Sequence, residues 1–282
     1  MPDTKPPPTF APPYCDAEAA ADQLRSRGFA LLTGDDTRRW SGASADALNA
    51  LAASWNDLPA DAYLLDGGRY RFRRHSCFEL GPRAKVSVVS HRAHWQPLQY
   101  NALHGGIQRW FEPMRAATVQ NSALEQLLSA MDALCRKLFP VSPNEAPGFV
   151  EAHQFRIDTA TGIGRPTPEG AHRDGVDLVA VFLVARKGVK GGETRIFEAA
   201  SPAGQRFTLT QPWSVLLLDD ARMVHETTPI QPAQTVPQRP EGTATGAYEG
   251  AGATSGHRDT LVLTWRRNGF QGPTQAENPT DD

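Results

Sequence analysis

Cysteine is scarce in this chain of 282 residues: there are three, Cys15, Cys77 and Cys135, and no CxxC pair. An odd, widely spaced set excludes a disulfide framework and a thiolate zinc site, and it suits a reducing compartment. An excess of one charge is also missing. Twenty-nine Lys and Arg stand against 31 Asp and Glu, a formal net charge of -2, so nothing favours nucleic acid or an anionic membrane as partner. Small neutral or anionic ligands stay open. Long apolar runs are absent too: the longest, Leu178 to Ala185, is far below the roughly 20 residues that span a bilayer. The start, Met1 to Lys5, leads into prolines rather than an apolar stretch, so no secretory signal is read and the cytoplasm is the expected location. What the chain has is ordinary core material, 40% hydrophobic against 21% charged residues, which excludes general disorder. At this length a single domain buries about 75% of its unfolded surface and needs no staples.

Six prolines between Pro2 and Pro13 predict an extended arm over residues 1–15. Asp16 reads as the N-cap of a helix ending near Gly28, followed by a strand from Gly28 to Thr33 and a second helix over 44–55. The clearest helix opens at Ser122, which forms a capping-box pair with Glu125. Leu124, Leu127, Leu128, Met131, Leu134, Cys135 and Leu138 follow at helical spacing, with Pro140 beyond the end. Such a stripe predicts a helix packed on a sheet, with no chemistry of its own. After Val150 the chain turns to short β-rich runs: strands are expected at 150–159, 176–186, 193–199, 205–210, 213–219, 223–230 and 258–267. Closely spaced short strands point to a sandwich or barrel rather than βαβ units. The expectation is therefore one α+β domain over 16–270, with a mixed helical part (16–149) outside a β core (150–267), and a tail at 271–282. Residues 231–256 hold Pro, Gly, Thr, Ala and Gln with little apolar periodicity, which reads as a tolerated insertion or disorder ahead of a working lid.

Eight histidines are present, and most need no special role. His172-Arg173-Asp174 differs, because residues i and i+2 of an extended segment share a face and aim an imidazole and a carboxylate the same way. His225 follows 53 residues later, within reach if the intervening strands fold back. Two imidazoles and one carboxylate make the facial set that holds non-heme Fe(II) and leaves positions open. The last strand, His257 to Trp265, puts Leu261, Leu263 and Trp265 on one face and Thr260, Val262 and Thr264 on the other. Near its start, the Arg258 guanidinium is suited to a bidentate grip on a carboxylate, against the rival of a structural ion pair with Asp259 or Glu226.

His172-x-Asp174, Gly191-Gly192-Glu193, His225 with Thr228-Pro229-Ile230, and Arg258-Asp259-Thr-Leu-Val-Leu together resemble the Fe(II)- and 2-oxoglutarate-dependent dioxygenases. Within that superfamily the chain is most similar to the group of bacterial L-isoleucine dioxygenase and related free amino-acid hydroxylases. His153-Gln-Phe-Arg156 adds to the likeness, which covers about 150–267 well and the region around Arg69 to His75 more loosely. The resemblance implies a double-stranded β-helix, or jelly roll, of the cupin-like kind. It implies His172, Asp174 and His225 as metal ligands, Arg258 as the 2-oxoglutarate site, and Fe(II), 2-oxoglutarate and O2 as cofactor and cosubstrates. It also implies oxidative decarboxylation to succinate and carbon dioxide, coupled to hydroxylation of a small molecule, most of all a free L-amino acid. The insertion widens the gap from His225 to Arg258 to 33 residues. Arg239 falls inside it without a strand, so Arg258 is preferred.

Substrate contacts are sought in Arg69-Tyr-Arg-Phe-Arg-Arg-His75. If the face carrying Tyr70 and Phe72 points inward, Arg74 on that face reaches the pocket to hold an α-carboxylate, ahead of Arg73. Gln154 and Arg156 share a face and are assigned to the pocket likewise, while His153 reads as a packed or supporting histidine. Two rivals stand beside the oxygenase reading: a cupin-type metalloenzyme without 2-oxoglutarate, and a non-catalytic or stress-associated regulator that keeps the metal site. A homodimer is left open.

Overall fold

A computed structural model of the chain describes residues 10–81, 85–101, 103–139, 147–233 and 255–273. Residues 1–9 of the proline-rich arm, 234–254 of the insertion (Arg239 included) and 274–282 of the tail lie outside the described residues. Helices come first and cluster on one side: α1 (Ala20–Arg27), α2 (Gly34–Ser41), α3 (Ala45–Ala52), the short α4 (Ala116–Val119) and α5 (Ser122–Leu138). The expected strands follow with small shifts of their ends. The run expected at 223–230 divides into β10 (Met223–Thr227) and β11 (Ile230–Pro232), because Pro229 has no amide to continue a ladder.

Seven strands form the main sheet, in the order β1 (Phe29–Leu32), β9 (Val215–Asp219), β5 (Leu178–Lys187), β12 (His257–Arg266), β4 (Gly148–Asp158), β2 (Arg71–Leu80) and β3 (Val86–Val88). Every neighbour is antiparallel. Opposite it stand β10, β7 (Thr194–Glu198) and β8 (Gly204–Phe207), with β11 paired to β6 (Val189–Gly191). This antiparallel double sheet is the expected jelly roll. Among the described residues no helix is long and apolar enough to cross a membrane.

Packing explains the arrangement. On its outer face the main sheet buries Phe78, Val150, Ala152, Ala180, Leu261, Leu263 and Trp265 against the leucine stripe of α5 and the apolar sides of α1 and α3. Helix α5 is capped by Asn121, whose side chain accepts from the Ala123 amide, rather than by the Ser122–Glu125 pair that the sequence suggests. Asp16 likewise makes no side-chain cap; a 3-10 turn at Ala17–Ala19 precedes α1. Between the two sheets, one end is filled by Phe29, Leu31, Val179, Ile196, Phe207, Leu216, Leu218 and Met223. The other end, bounded by β12, β4 and β2, is not filled with apolar side chains. It is a cavity lined by histidines, arginines and threonines.

Candidate active site

His172 lies in the loop before β5, and His225 on β10. The two form an isolated bridge in which each amide donates to the other's carbonyl, at 3.0 and 2.9 Å. The bridge brings the rings to 4.5 Å between centroids. Asp174 completes the group: its Oδ1 is 4.0 Å from His172 Nε2 and its Oδ2 is 3.9 Å from His225 Nε2. All three ligand atoms lie within 4.8 Å of one another, a spacing that one divalent ion with bonds of about 2.0–2.2 Å can bridge. His172 Nδ1 donates to the Gly170 carbonyl at 3.0 Å, so its Nε2 lone pair is the one turned to the site. Burial, with His172 close by, pushes the His225 imidazole well below its ordinary range, so it stays neutral, the ligating form. Gln96 donates to Asp174 Oδ1 at 3.0 Å. The loop itself is held by Asp220, which accepts the amides of Asp174, Gly175 and Val176 at 3.0, 2.7 and 3.0 Å. Gly175 has φ +73, and a Cβ there would overlap the Tyr100 ring, so only glycine lets the chain turn straight after Asp174. Donor set, tautomer and spacing fit a non-heme iron with open coordination positions.

Arg258 faces the same cavity from β12. It is 4% exposed and makes no ion pair with any described residue. Asp259, one of its rival partners, is held by Arg156 through two bonds of 2.8 and 2.7 Å. Glu226, the other, sits 3.3 Å from Arg195. Burial, and then neighbouring Arg186, push the Arg258 guanidinium down to about 10, so it is still charged at neutral pH and awaits an anion. Arg186 Nη2 donates to the Val189 and Gly191 carbonyls at 3.2 and 2.7 Å, while its Nη1 is buried without a described partner. A Cβ at Gly192 would press on Arg186 Nη1 at 3.0 Å and touch Arg258 Cδ at 3.7 Å. The Gly191-Gly192 turn is therefore what lets two guanidiniums sit beside it.

Three other predicted contacts face away. Register puts Arg71, Ile157 and Arg258 in one row across β2, β4 and β12, then Arg73, Phe155 and Thr260, then His75, His153 and Val262. Those rows line or adjoin the cavity. The alternate rows hold Phe72, Arg156 and Asp259, then Arg74, Gln154 and Leu261, and they face the helices. Arg74, expected to hold a carboxylate, instead donates to the carbonyls of Asp57 and Pro113 at 3.0 to 3.2 Å. Gln154 donates to Ser54 Oγ at 2.7 Å, and Arg156 is tied to Asp259. The reason is that both faces of the sheet are buried. Aromatic content marks the face packed on the helices, while the face toward a ligand-binding cavity is polar. His153 does line the cavity, accepting at Nδ1 from Arg73 Nη2 at 2.7 Å.

The segment 91–113, which no motif of the sequence marks, folds across β2 and contributes His94, Gln96, Asn101, His104 and Arg109 to the lining. Glu169, three residues ahead of His172, lines the cavity too and carries no motif of its own. Only the crowding of His91, His94 and His104 before Arg109 signals that segment in the sequence. A second group, His75, His94, Glu151 and His153, is fully buried with ligand atoms close together. Two observations make it a hydrogen-bonded network rather than a metal site. Arg73 occupies His153 Nδ1, which leaves the proton on Nε2. His94 Nδ1 lies 2.5 Å from Glu151 Oε2, whereas two ligands on one ion stay about 3 Å or more apart. Glu151 also accepts from His75 at 3.2 Å.

The family model for 2OG-Fe dioxygenases matches residues 52–240, well over half of the chain. Among solved structures, a bsmA homolog from Methylobium petroleophilum PM1 is 46% identical, with 95% of this chain and 99% of that one covered and a TM-score of 0.80. IDO from Bacillus thuringiensis (16% identity, coverage 90% and 96%, TM-score 0.67) shares the fold. So does the Fe(II)/(alpha)ketoglutarate-dependent dioxygenase TqaL (17%, 92% and 92%, 0.63). No curated protein matches the chain.

Proposed function

Because the chain belongs to the 2OG-Fe dioxygenase family, a family that uses Fe(II), 2-oxoglutarate and O2, we propose that it hydroxylates a small molecule, a free L-amino acid, in the cytoplasm. His172, Asp174 and His225 are the iron ligands in this reading, and Arg258 receives the distal carboxylate of 2-oxoglutarate. When bound, the iron and cosubstrate supply the oxidising chemistry, with succinate and carbon dioxide released. The chain's own residues orient and desolvate. Gln96 fixes which Asp174 oxygen is free to ligate. The Gly170 carbonyl fixes the His172 tautomer. The wall of Val181, Val262, Ile157 and Phe155 keeps water from the reacting centre.

One observation carries the reading. Two imidazoles and a carboxylate converge in the same cavity as a buried guanidinium that pairs with no acid among the described residues. An iron enzyme without 2-oxoglutarate gives Arg258 nothing to bind, which disfavours the cupin-type rival. The test is turnover: purified protein with Fe(II), ascorbate and 2-oxoglutarate is given a panel of L-amino acids, and succinate and hydroxylated product are followed. Substrate-dependent succinate with a hydroxylated amino acid is expected. Iron binding with no turnover on any member supports the regulator instead.

A further inference from the structure

Besides Arg258, the cavity holds charged side chains of both signs with buried polar atoms that have no described partner. Arg109 reaches in from the 91–113 segment, whose backbone is fixed by the mutual amide–carbonyl bonds of His94 and Arg109 at 2.9 and 3.0 Å. Its Nη2 donates to Gln96 Oε1 at 3.0 Å, and Gln96 donates on to Asp174. The guanidinium is thus one bonded side chain away from the iron ligands. Arg109 Nε is buried without a partner, and no described acid pairs with Arg109. Arg71 shares this wall: its Nε donates to Asp61 Oδ2 at 2.6 Å, while its Nη2 is buried and free. Asp61 is the acid behind this wall, and Arg73 draws on it as well, at 3.7 Å. On the metal side, Glu169 has Oε1 3.6 Å from His172 Nε2 and a buried Oε2 with no partner. It pairs with no arginine among the described residues. Arg109 acts on Glu169 only at longer range; once His172 Nε2 is committed to iron, no described cation lies within ion-pair distance of Glu169.

From this geometry we infer that Arg71 and Arg109 form a carboxylate clamp and Glu169 an ammonium acceptor, so the cavity recognises the free zwitterion of an α-amino acid. The inference rests on the amino-acid reading above and gives that reading its residues. 2-Oxoglutarate has two carboxylates and no cation, so Glu169 has no part in holding it. A peptide-bound or N-acylated residue lacks the ammonium and leaves Glu169 buried and unpaired. An amide lacks the carboxylate and leaves the Arg109 donor empty. Each omission costs about ten-fold in affinity or more, as for other buried hydrogen bonds to charged groups.

The test is binding, read by calorimetry on the full chain loaded with Ni(II) and 2-oxoglutarate, which does not turn over. The twenty L-amino acids are screened, and the tightest is compared with its N-acetyl and carboxamide derivatives. Wild-type protein is expected to bind each derivative at least about ten-fold more weakly than the parent. Glu169→Gln should erase the difference between parent and N-acetyl form, and Arg109→Met the difference between parent and amide. A variant that no longer binds 2-oxoglutarate has lost its fold; Glu169→Asp or Arg109→Lys then takes its place. Derivatives that bind wild type as tightly as the parent, or variants that keep full discrimination, overturn the clamp and leave the hydroxylase reading standing. If wild-type protein binds no amino acid, the substrate reading itself fails.

Discussion

Asp61→Asn isolates what the buried charges of the cavity wall are worth. The Asp61 side chain is 0% exposed. Its Oδ1 accepts the Tyr63 amide at 2.9 Å, and its Oδ2 accepts from Arg71 at 2.6 Å with Arg73 at 3.7 Å. Asparagine keeps the shape and the bond to Tyr63 but removes the charge that two buried guanidiniums share. Taking one partner from a buried pair costs about 3–5 kcal/mol, against a total stability of roughly 5–15 kcal/mol. At about 2–4 °C per kcal/mol for a protein of this size, the melting temperature should fall by roughly 6–20 °C. Burial alone would raise the Asp61 carboxyl, but Arg73 and Arg71 outweigh it and hold the group below its ordinary range. A depressed folded value means that the contribution is whole above the unfolded value of about 3.9 and is lost as pH falls through the folded one. Melting of wild type and variant across pH 3–8 should therefore show a constant gap above about pH 5 that narrows in acid. A gap under about 2 °C at neutral pH, or one that widens in acid, refutes the assignment.

His225→Ala should reduce iron content from one per chain to under about a tenth with the far-ultraviolet spectrum unchanged; full occupancy by elemental analysis refutes the ligand set. Arg258→Ala should raise KM for 2-oxoglutarate by about 100-fold, and Arg258→Lys by less, because a point charge replaces only part of a bidentate grip. Equal KM values would place the cosubstrate elsewhere. Gly148→Ala puts a Cβ onto the bond of 2.9 Å between the Trp265 indole and Asp132, and such overpacking typically costs about 1–3 kcal/mol. Urea unfolding reads it, and a neutral result would mean that the start of β4 yields.

What the sequence disclosed depended on how narrowly physics restricts each residue. The α5 stripe could be read because leucines at helical spacing have one use, burial on a sheet, and Leu124 through Cys135 do that. His172, Asp174 and His225 stood out because few arrangements of imidazole and carboxylate have a chemical use, and the structure brings the three together. Arg109, Gln96 and Glu169 had no such signature. Each is an ordinary polar residue in an irregular segment, and its importance comes from facing a cavity whose walls are distant in sequence. The Asn121 cap is hidden behind the Ser122–Glu125 pair, because the residue before that pair supplies the same chemistry.

The β2 face shows why parity in a strand needs more than composition. In Tyr70-Arg71-Phe72-Arg73-Arg74 the aromatics mark one face as apolar, and apolar usually means inward. In a two-sheet fold clad with helices, however, inward has two meanings. The face against the helices must exclude water and carries Phe78 and Leu80. The face toward the second sheet borders the polar cavity, and it carries Arg71, Arg73 and His75. The cost of burying the two guanidiniums is met by Asp61 and by stacking of Arg73 on Phe111 at 3.6 Å, while His75, whose charged form burial disfavours, hydrogen-bonds Glu151. Behind these ion pairs and stacks, Arg71 Nη2 and Arg73 Nε stay buried without a described partner. Arg74, on the other parity, spends three of its five N–H donors on the Asp57 and Pro113 carbonyls and lies outside the cavity lining. Strand parity read together with leftover buried donors therefore separates the cavity-facing Arg71 and Arg73 from Arg74 where hydrophobicity does not.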